Sequence, residues 1–258
     1  MSADLVVRRP QGLYCPAGDF YIDPWRKVER AVITHAHADH ARAGHDHYLA
    51  ARRGVGVLRA RLGNVDVTGL AWGEALVIGR ARVSLHPAGH ILGAAQVRIE
   101  VDGQVWVAAG DYFFSPHGEL NPTCDAFEPV RCDCFITEAT FGLPIYRWPR
   151  HADVFDDMNR WWQANAAAGE ASLVGAYSLG KTQHVLAGVE AGIGPIYVHP
   201  AAEEIDAAHM AEGVALPATR PWSELQDARA LRGALVVAPP GANAPWRWQR
   251  AVRVRESF

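Results

Sequence analysis

The chain has 258 residues, 49% of them hydrophobic, and a formal charge of -3 at pH 7. That is enough material for one large or two modest domains with a buried core. The slight negative charge excludes a generally basic surface, so any attraction for phosphate has to come from a local patch or from bound cations. The longest apolar runs, such as ALVVAPP at 234–240, fall far short of the roughly 20 residues that cross a bilayer, and MSADLVVRRP at the start lacks the apolar stretch of a secretion signal. The expectation is a cytoplasmic protein with no membrane partner. Cys15, Cys124, Cys132 and Cys134 are too few for a disulfide scaffold. Cys132 and Cys134 have no second close pair with which to build a structural zinc site, so small buried or half-buried thiols are expected.

In chain order, the first half reads as β-rich. FYID at 20–23 and AVIT at 31–34 are apolar runs, and ARRGVGVLRARLG at 51–63 reads as a helix despite its glycines. Strands follow in ALVIGRARVSLH at 75–86 and AQVRIEVDGQVWVAAGD at 95–111, the latter broken by Asp102-Gly103, a strong hairpin signal. From about Pro149 the texture changes. Residues 151–169 have helical spacing, with Val154, Met158, Trp161 and Trp162 on or near one stripe. A buried strand at 172–178 and a helix at 179–192 come next, then a strand–helix pair at 195–213 and a last strand, ALVVAP, at 234–239. Strands alternating with helices imply a parallel sheet. The expected domains are 1–148 and 149–258, with PPGANAPW at 239–246 as a turn-rich stretch.

The chemistry concentrates in VITHAHADHARAGH at 32–45. His35 and His37 are two apart at the end of a strand, so an extended backbone points both the same way. Asp39 and His40 open what reads as a helix and face another side. Two ligands in each of two directions suit a pair of adjacent metals. His90 in LHPAGHILGA and Asp111 in VWVAAGDY sit at or just past strand ends, where a β-rich scaffold presents functional groups. A carboxylate such as Asp111 can bridge two cations roughly 3.5 to 4 Å apart, which share a water, lower its pKa and clamp the attacking and leaving oxygens of a phosphodiester. The imidazole-rich set favours zinc, with manganese as the alternative where carboxylate predominates.

THAHADH, HPAGH, AGDY and FYIDPW resemble, as an ordered set, the motifs of the metallo-β-lactamase fold. That resemblance implies an αββα sandwich. It places His35, His37 and His90 on one metal, Asp39 and His40 on the other, and Asp111 between them, with Asp23 orienting the histidine loop. FITEATFG at 135–142 and SLVGAYSLGKTQHVL at 172–186 resemble the acidic motif and the strand–turn–helix of the β-CASP insert of nucleic-acid-processing members. GLYCPAGDFYIDPW, FEPVRCDCFITEATFGLPIYRWP and GPIYVHPAAE are similar to the bacterial ligase-associated DNA-damage-response exonucleases, a likeness running through nearly the whole chain. The implied function is a two-metal exonuclease hydrolysing DNA ends in repair, beside an ATP-dependent DNA ligase and a helicase. Asp39, Asp111 and Glu138 would serve the chemistry, Glu138 by holding a ligating histidine or managing protons, and Lys181 and Arg147 would touch the strand. Plainer readings stand beside these: an acid at a strand end is often a cap, and Lys181 can be a solvated charge at a helix start.

Relatives with this insert continue into further strands and histidines, whereas RAVRVRESF ends this chain and no histidine follows His209. The resemblance therefore implies an incomplete sandwich, a second metal short of a protein ligand and reduced activity. His199 aligns with a different position and is no substitute. The alternatives are an RNA-processing nuclease of the same fold, since 2'-hydroxyl recognition leaves no readable motif, and a truncated, impaired relative that binds nucleic acid without cutting. His86, four before His90, is a loop-orienting or a core residue. His45 and His47 fall outside the ligand set, and His117, His151, His184 and His209 carry no expected ligand role. The tryptophans read as core and domain-interface residues.

Overall fold

A computed structural model describes residues 4–115, 117–225, 228–240 and 242. The chain divides into two compact units, Met1–Tyr146 and Arg147–Phe258, of mixed α/β character.

The first unit contains β1 (Val7–Arg9), β2 (Gly12–Cys15), β3 (Phe20–Ile22), β4 (Arg30–Val32), β5 (His47–Ala51), α1 (Val55–Leu62), β6 (Val67–Leu70), β7 (Ala75–Ile78), β8 (Ala81–Pro87), β9 (Ala95–Val101), β10 (Gln104–Ala108) and β11 (Cys134–Ile136). The first six strands form one sheet in sequence order, and the other five form a second in the order β11-β10-β9-β8-β7. Alternate residues of β8 and β9, including Val83, Leu85, Val97, Ile99 and Val101, share one buried cluster with Phe20, Ile22, Val32 and Leu49 of the first sheet. A two-residue side-chain period on each sheet thus supplies the two halves of one core. Between β9 and β10 the hairpin closes as its sequence implies: Val101 pairs with Gln104, and Asp102 and Gly103 both have positive φ, 50° and 82°, the turn whose twist matches the strands.

The second unit contains α2 (His151–Ala167), β12 (Ser172–Gly175), α3 (Lys181–Gly188), β13 (Ile196–Val198), α4 (Glu203–Ala211), β14 (Arg220–Pro221) and β15 (Leu235–Ala238). Its four strands run in the order β12-β15-β13-β14, all parallel. Both faces are buried, as parallel sheets require. Ile196, Val198, Leu235 and Val237 pack on Met158 and Trp162 of α2 and Leu186 of α3, while Tyr197 and Val236 pack on Trp222 and Leu231. Trp162 is fully enclosed and donates its indole N–H to the Gly233 carbonyl at 3.0 Å, so that tryptophan is core. Helix α3 is shorter than the 179–192 expected from sequence, because Gly180 has φ 86° and Val189 is already extended. The rest of PPGANAPW and all of RAVRVRESF lie outside the described residues. Cys15 is buried, and Cys124, Cys132 and Cys134 are half-buried free thiols. Among the described residues no helix is long and apolar enough to cross a membrane.

Candidate metal centre

Strand β4 ends at Val32, which corrects two expectations. His35 and His37 stand on a bent loop rather than an extended strand end, and Asp39 and His40 lie in a turn rather than at the start of a helix. The backbone closes once, with the N–H groups of His40 and Ala41 both donating to the His37 carbonyl at 3.2 and 2.8 Å. Continuing a helix from one turn needs further bonds to offset its nucleation cost. Here the carbonyls of Ala36 and Ala41 accept instead from the Arg61 guanidinium on α1.

Asp23 organises this loop. It sits in the left-handed region at φ 43°, a conformation that is sparsely populated away from glycine and that clusters at functional sites. Its carboxylate accepts the Thr34 N–H at 2.7 Å and the Thr34 hydroxyl at 2.5 Å, and also accepts from His40 Nδ1 at 2.7 Å. Because the Thr34 hydroxyl is spent on Asp23, its oxygen accepts from His35 Nδ1 at 3.1 Å. That fixes the His35 tautomer with the Nε2 lone pair facing inward.

Two glycines bring the remaining groups close. Gly110 has φ 61°, and a Cβ there would lie 2.7 Å from the Thr34 side chain, so only glycine lets Asp111 approach the loop. Gly89 has φ 77°, and a Cβ there would meet the Phe113 carbonyl at 2.3 Å, which fixes the turn that carries His90.

One ligand atom from each of His35, His37, His90 and Asp111 lies within 4.8 Å of all the others. His37 Nδ1 is 3.0 Å from His35 Nε2 and 3.2 Å from His90 Nε2. Asp111 Oδ2 is 3.9 Å from His35 Nε2 and 3.8 Å from His90 Nε2, and its Oδ1 is 3.3 Å from His40 Nε2. Asp39 Oδ2 is 3.6 Å from His40 Nε2, with its side chain 77% exposed. All six residues that the sequence singled out as ligands are therefore neighbours.

Electrostatics divides them into two kinds. Burial and the neighbouring imidazoles of His40, His37 and His90 push His35 well below the usual histidine range. Burial and His37 likewise push His90 down to about 4 against the pull of Asp111. These rings are neutral, with nitrogen lone pairs converging on one region beside a carboxylate, an arrangement a divalent cation satisfies. For His40, burial opposes the charge, but hydrogen bonds to Asp111 and Asp23 outweigh it and raise the pKa to about 10. The His40 partnership holds Asp111 below the usual carboxylate range. The donor set thus fits a metal, and His40 carries a proton where a second cation would compete.

The other expected residues are more dispersed. Glu138 accepts the Thr140 N–H at 2.7 Å, and its charge acts on His90. His86 contacts Glu128 at 3.0 Å and Ser84 at 3.1 Å. His45 is buried and accepts the Val28 N–H at 3.2 Å, a structural role. In the second unit Arg147 is exposed, and Lys181 lies 5.3 Å from the centre of the Tyr177 ring at the start of α3. Residues 175–182 also fit the G-x-x-x-x-G-K-[ST] pattern of phosphate loops. Their donors point elsewhere: Gly180 N–H goes to the Gln183 side chain at 2.7 Å, and both the N–H and hydroxyl of Thr182 go to the Tyr177 carbonyl. Thr34 and Arg61 are the contributors that sequence reasoning missed. Thr34 stands inside THAHADH, whereas nothing marks Arg61 on its helix.

No protein-family model matches the chain. It is 30% identical to a protein described as "Probable DNA ligase" from Opitutus terrae over 246 residues, which are 91% of this chain and 22% of that protein. It is 38% identical to "Endoribonuclease ysh1" from Emericella nidulans over 66 residues, 26% of this chain and 7% of that protein. The chain thus spans about a fifth of the first relative and far less of the second. Its fold is similar to that of a crystal structure of a protein of unknown function from Enterococcus faecalis, with a TM-score of 0.56 at 13% identity, covering 83% of this chain and 59% of that one.

Proposed function

We propose that the chain is a metal-dependent phosphodiesterase of the metallo-β-lactamase kind, with a β-CASP-like domain at 149–258 following a metal-binding domain at 1–148, and that it trims DNA ends in repair beside a DNA ligase and a helicase. The observation that carries the reading is the convergence of His35, His37, His90 and Asp111 within 4.8 Å. Likeness to a ligase-named protein across 91% of the chain and to an endoribonuclease over a shorter stretch supports nucleic acid as the substrate.

On this reading His35, His37 and His90 would hold one divalent ion, Asp39 and His40 would hold a second, and Asp111 would serve both. Bound zinc, or manganese, supplies a water of lowered pKa and neutralises charge developing on the phosphate. The chain's own residues do the rest. Asp23 and Thr34 fix the ring tautomers, Arg61 holds the loop carbonyls, and Glu138 sets a negative charge beside His90 that can take up a proton released at the phosphate. Lys181 and Arg147 supply cations for the strand.

The likeness to the endoribonuclease favours a second reading, an RNA-cleaving enzyme with the same centre. One assay separates the two: end-labelled DNA and RNA of the same sequence, with zinc or manganese, digested by the wild type and by His37→Ala. Shortened DNA products from the wild type and none from the variant are expected. Shortened RNA alone would establish the second reading, and equal products from both proteins would remove the first.

A further inference from the structure

Behind the histidine loop, on the first unit, lies an open basin of about 420 Å³ whose lining includes Trp25, Arg26, Lys27, Arg42 and Arg61, with no carboxylate among the lining residues. Four cations gather here in a chain whose overall charge is -3, so the charge is local rather than a reflection of composition. Lys27 is paired with Asp46 at 2.8 Å. Arg26 and Arg42 are exposed, and neither has an ion pair among the described residues. Arg61 is the link to the centre: it lines the basin and holds the carbonyls of Ala36 and Ala41, while Ala38 and Ala41 of the same loop form part of the basin wall. At the rim, Trp25 donates its indole N–H to the Pro10 carbonyl at 2.7 Å and remains 42% exposed. A pinned, open indole beside unpaired guanidinium groups combines a stacking face with planar donors for phosphate oxygens.

We propose that this basin is a binding site for a phosphate ester, with Arg26 and Arg42 on the phosphate and Trp25 against the attached base. The identity of that ester as part of a nucleic-acid strand rests on the nuclease reading. A strand phosphate and the phosphate of a free mononucleotide share this chemistry. An ester held there would lie against the wall that Ala38 and Ala41 of the histidine loop help to form.

The test is binding of a fluorescent single-stranded oligonucleotide to the full chain over a range of salt, with inorganic phosphate and a mononucleotide as competitors. The doubly substituted Arg26→Ala/Arg42→Ala protein is compared with the wild type and with Arg80→Ala/Arg82→Ala, which removes the same charge from a surface where Arg80 pairs with Asp102 and Arg82 with Glu100. The basin variant is expected to bind about tenfold more weakly, with the slope of log affinity against log salt reduced by about 1.4, roughly 0.7 for each cation removed from a single strand. The control variant is expected to change neither. Competition by mononucleotide at low concentration would assign the site to free nucleotides, and its absence to a strand phosphate; both support a phosphate-ester site. No binding to any of these ligands, unchanged binding by the basin variant, or an equal loss in the control would overturn it. His37→Ala is run alongside. If it digests nucleic acid like the wild type while the basin variant still binds weakly, the catalytic reading fails and the basin stands.

Discussion

At the scale of single residues, the centre is built by Asp23 as much as by the groups that would meet a metal. Asp23 accepts a strained backbone at φ 43° in exchange for hydrogen bonds to Thr34 and His40. The resulting His40 imidazolium, held to about 10, has two consequences. Its folded pKa lies above the unfolded value near 6.5, so its contribution to the metal-free fold is complete below about pH 6.5 and is lost as pH rises through 10. Under the proposed ligand set, a cation on His40 must also displace that proton. Zinc uptake at pH 7 is therefore expected to release about one proton beyond those from the other ligands, measured as a dependence of the calorimetric heat on buffer ionisation enthalpy. A His40→Ala protein should release about one proton fewer, and equal proton release by the two proteins would contradict the role of His40. Much of this was legible. Histidines at one- to two-residue spacing leave a signature in THAHADH, and Asp23, His90 and Asp111 were reached through strand ends and resemblance. Arg61 was not legible, because a guanidinium that caps loop carbonyls is specified by tertiary geometry and by no local pattern.

At the scale of elements, glycine at a strand end decides whether the centre closes. Gly110→Ala combines positive φ with a methyl 2.7 Å from Thr34, and should cost about 1–3 kcal/mol of stability while weakening zinc binding. Gly103→Ala, at φ 82° but in open space, is the matched comparison: about 1 kcal/mol lost through backbone strain alone, with zinc binding intact. Chemical denaturation and a zinc titration of both proteins check the contrast, and equal zinc affinity in the two would contradict it. On α4, burial raises the pKa of Asp206 to about 6. One of its oxygens accepts from Gln183 at 2.6 Å and the other has no hydrogen-bond partner. The folded chain therefore holds this proton more tightly than the unfolded one. The contribution is complete below about pH 4 and is lost as pH rises through 6, by about 1–3 kcal/mol. Asp206→Asn should gain on the wild type over that window in urea unfolding at several pH values; a difference independent of pH would contradict the assignment. The hairpin at Asp102-Gly103 and the strand alternation were readable because their signals are local. The helix expected at Asp39 was misread, because one closed turn and a helix start share the same local sequence, and only the bonds from Arg61 distinguish them.

At the scale of the whole molecule, the strand–helix alternation after Pro149 made a parallel sheet legible, and β12 to β15 form one. The placement of β15 between β12 and β13 was not legible, since strand order depends on pairing across many residues rather than on any one segment. The convergence of His35, His37, His90 and Asp111 is likewise a long-range product, joining a loop after β4 with two others some 50 and 70 residues on. Its most direct test is digestion of end-labelled DNA by protein stripped with a chelator and then given back zinc or manganese. The stripped wild type should be inactive, the reloaded wild type should shorten the DNA, and reloaded His37→Ala should leave it intact. Digestion by the stripped protein at the reloaded rate, or by His37→Ala at the wild-type rate, would contradict a metal centre that cuts phosphodiesters.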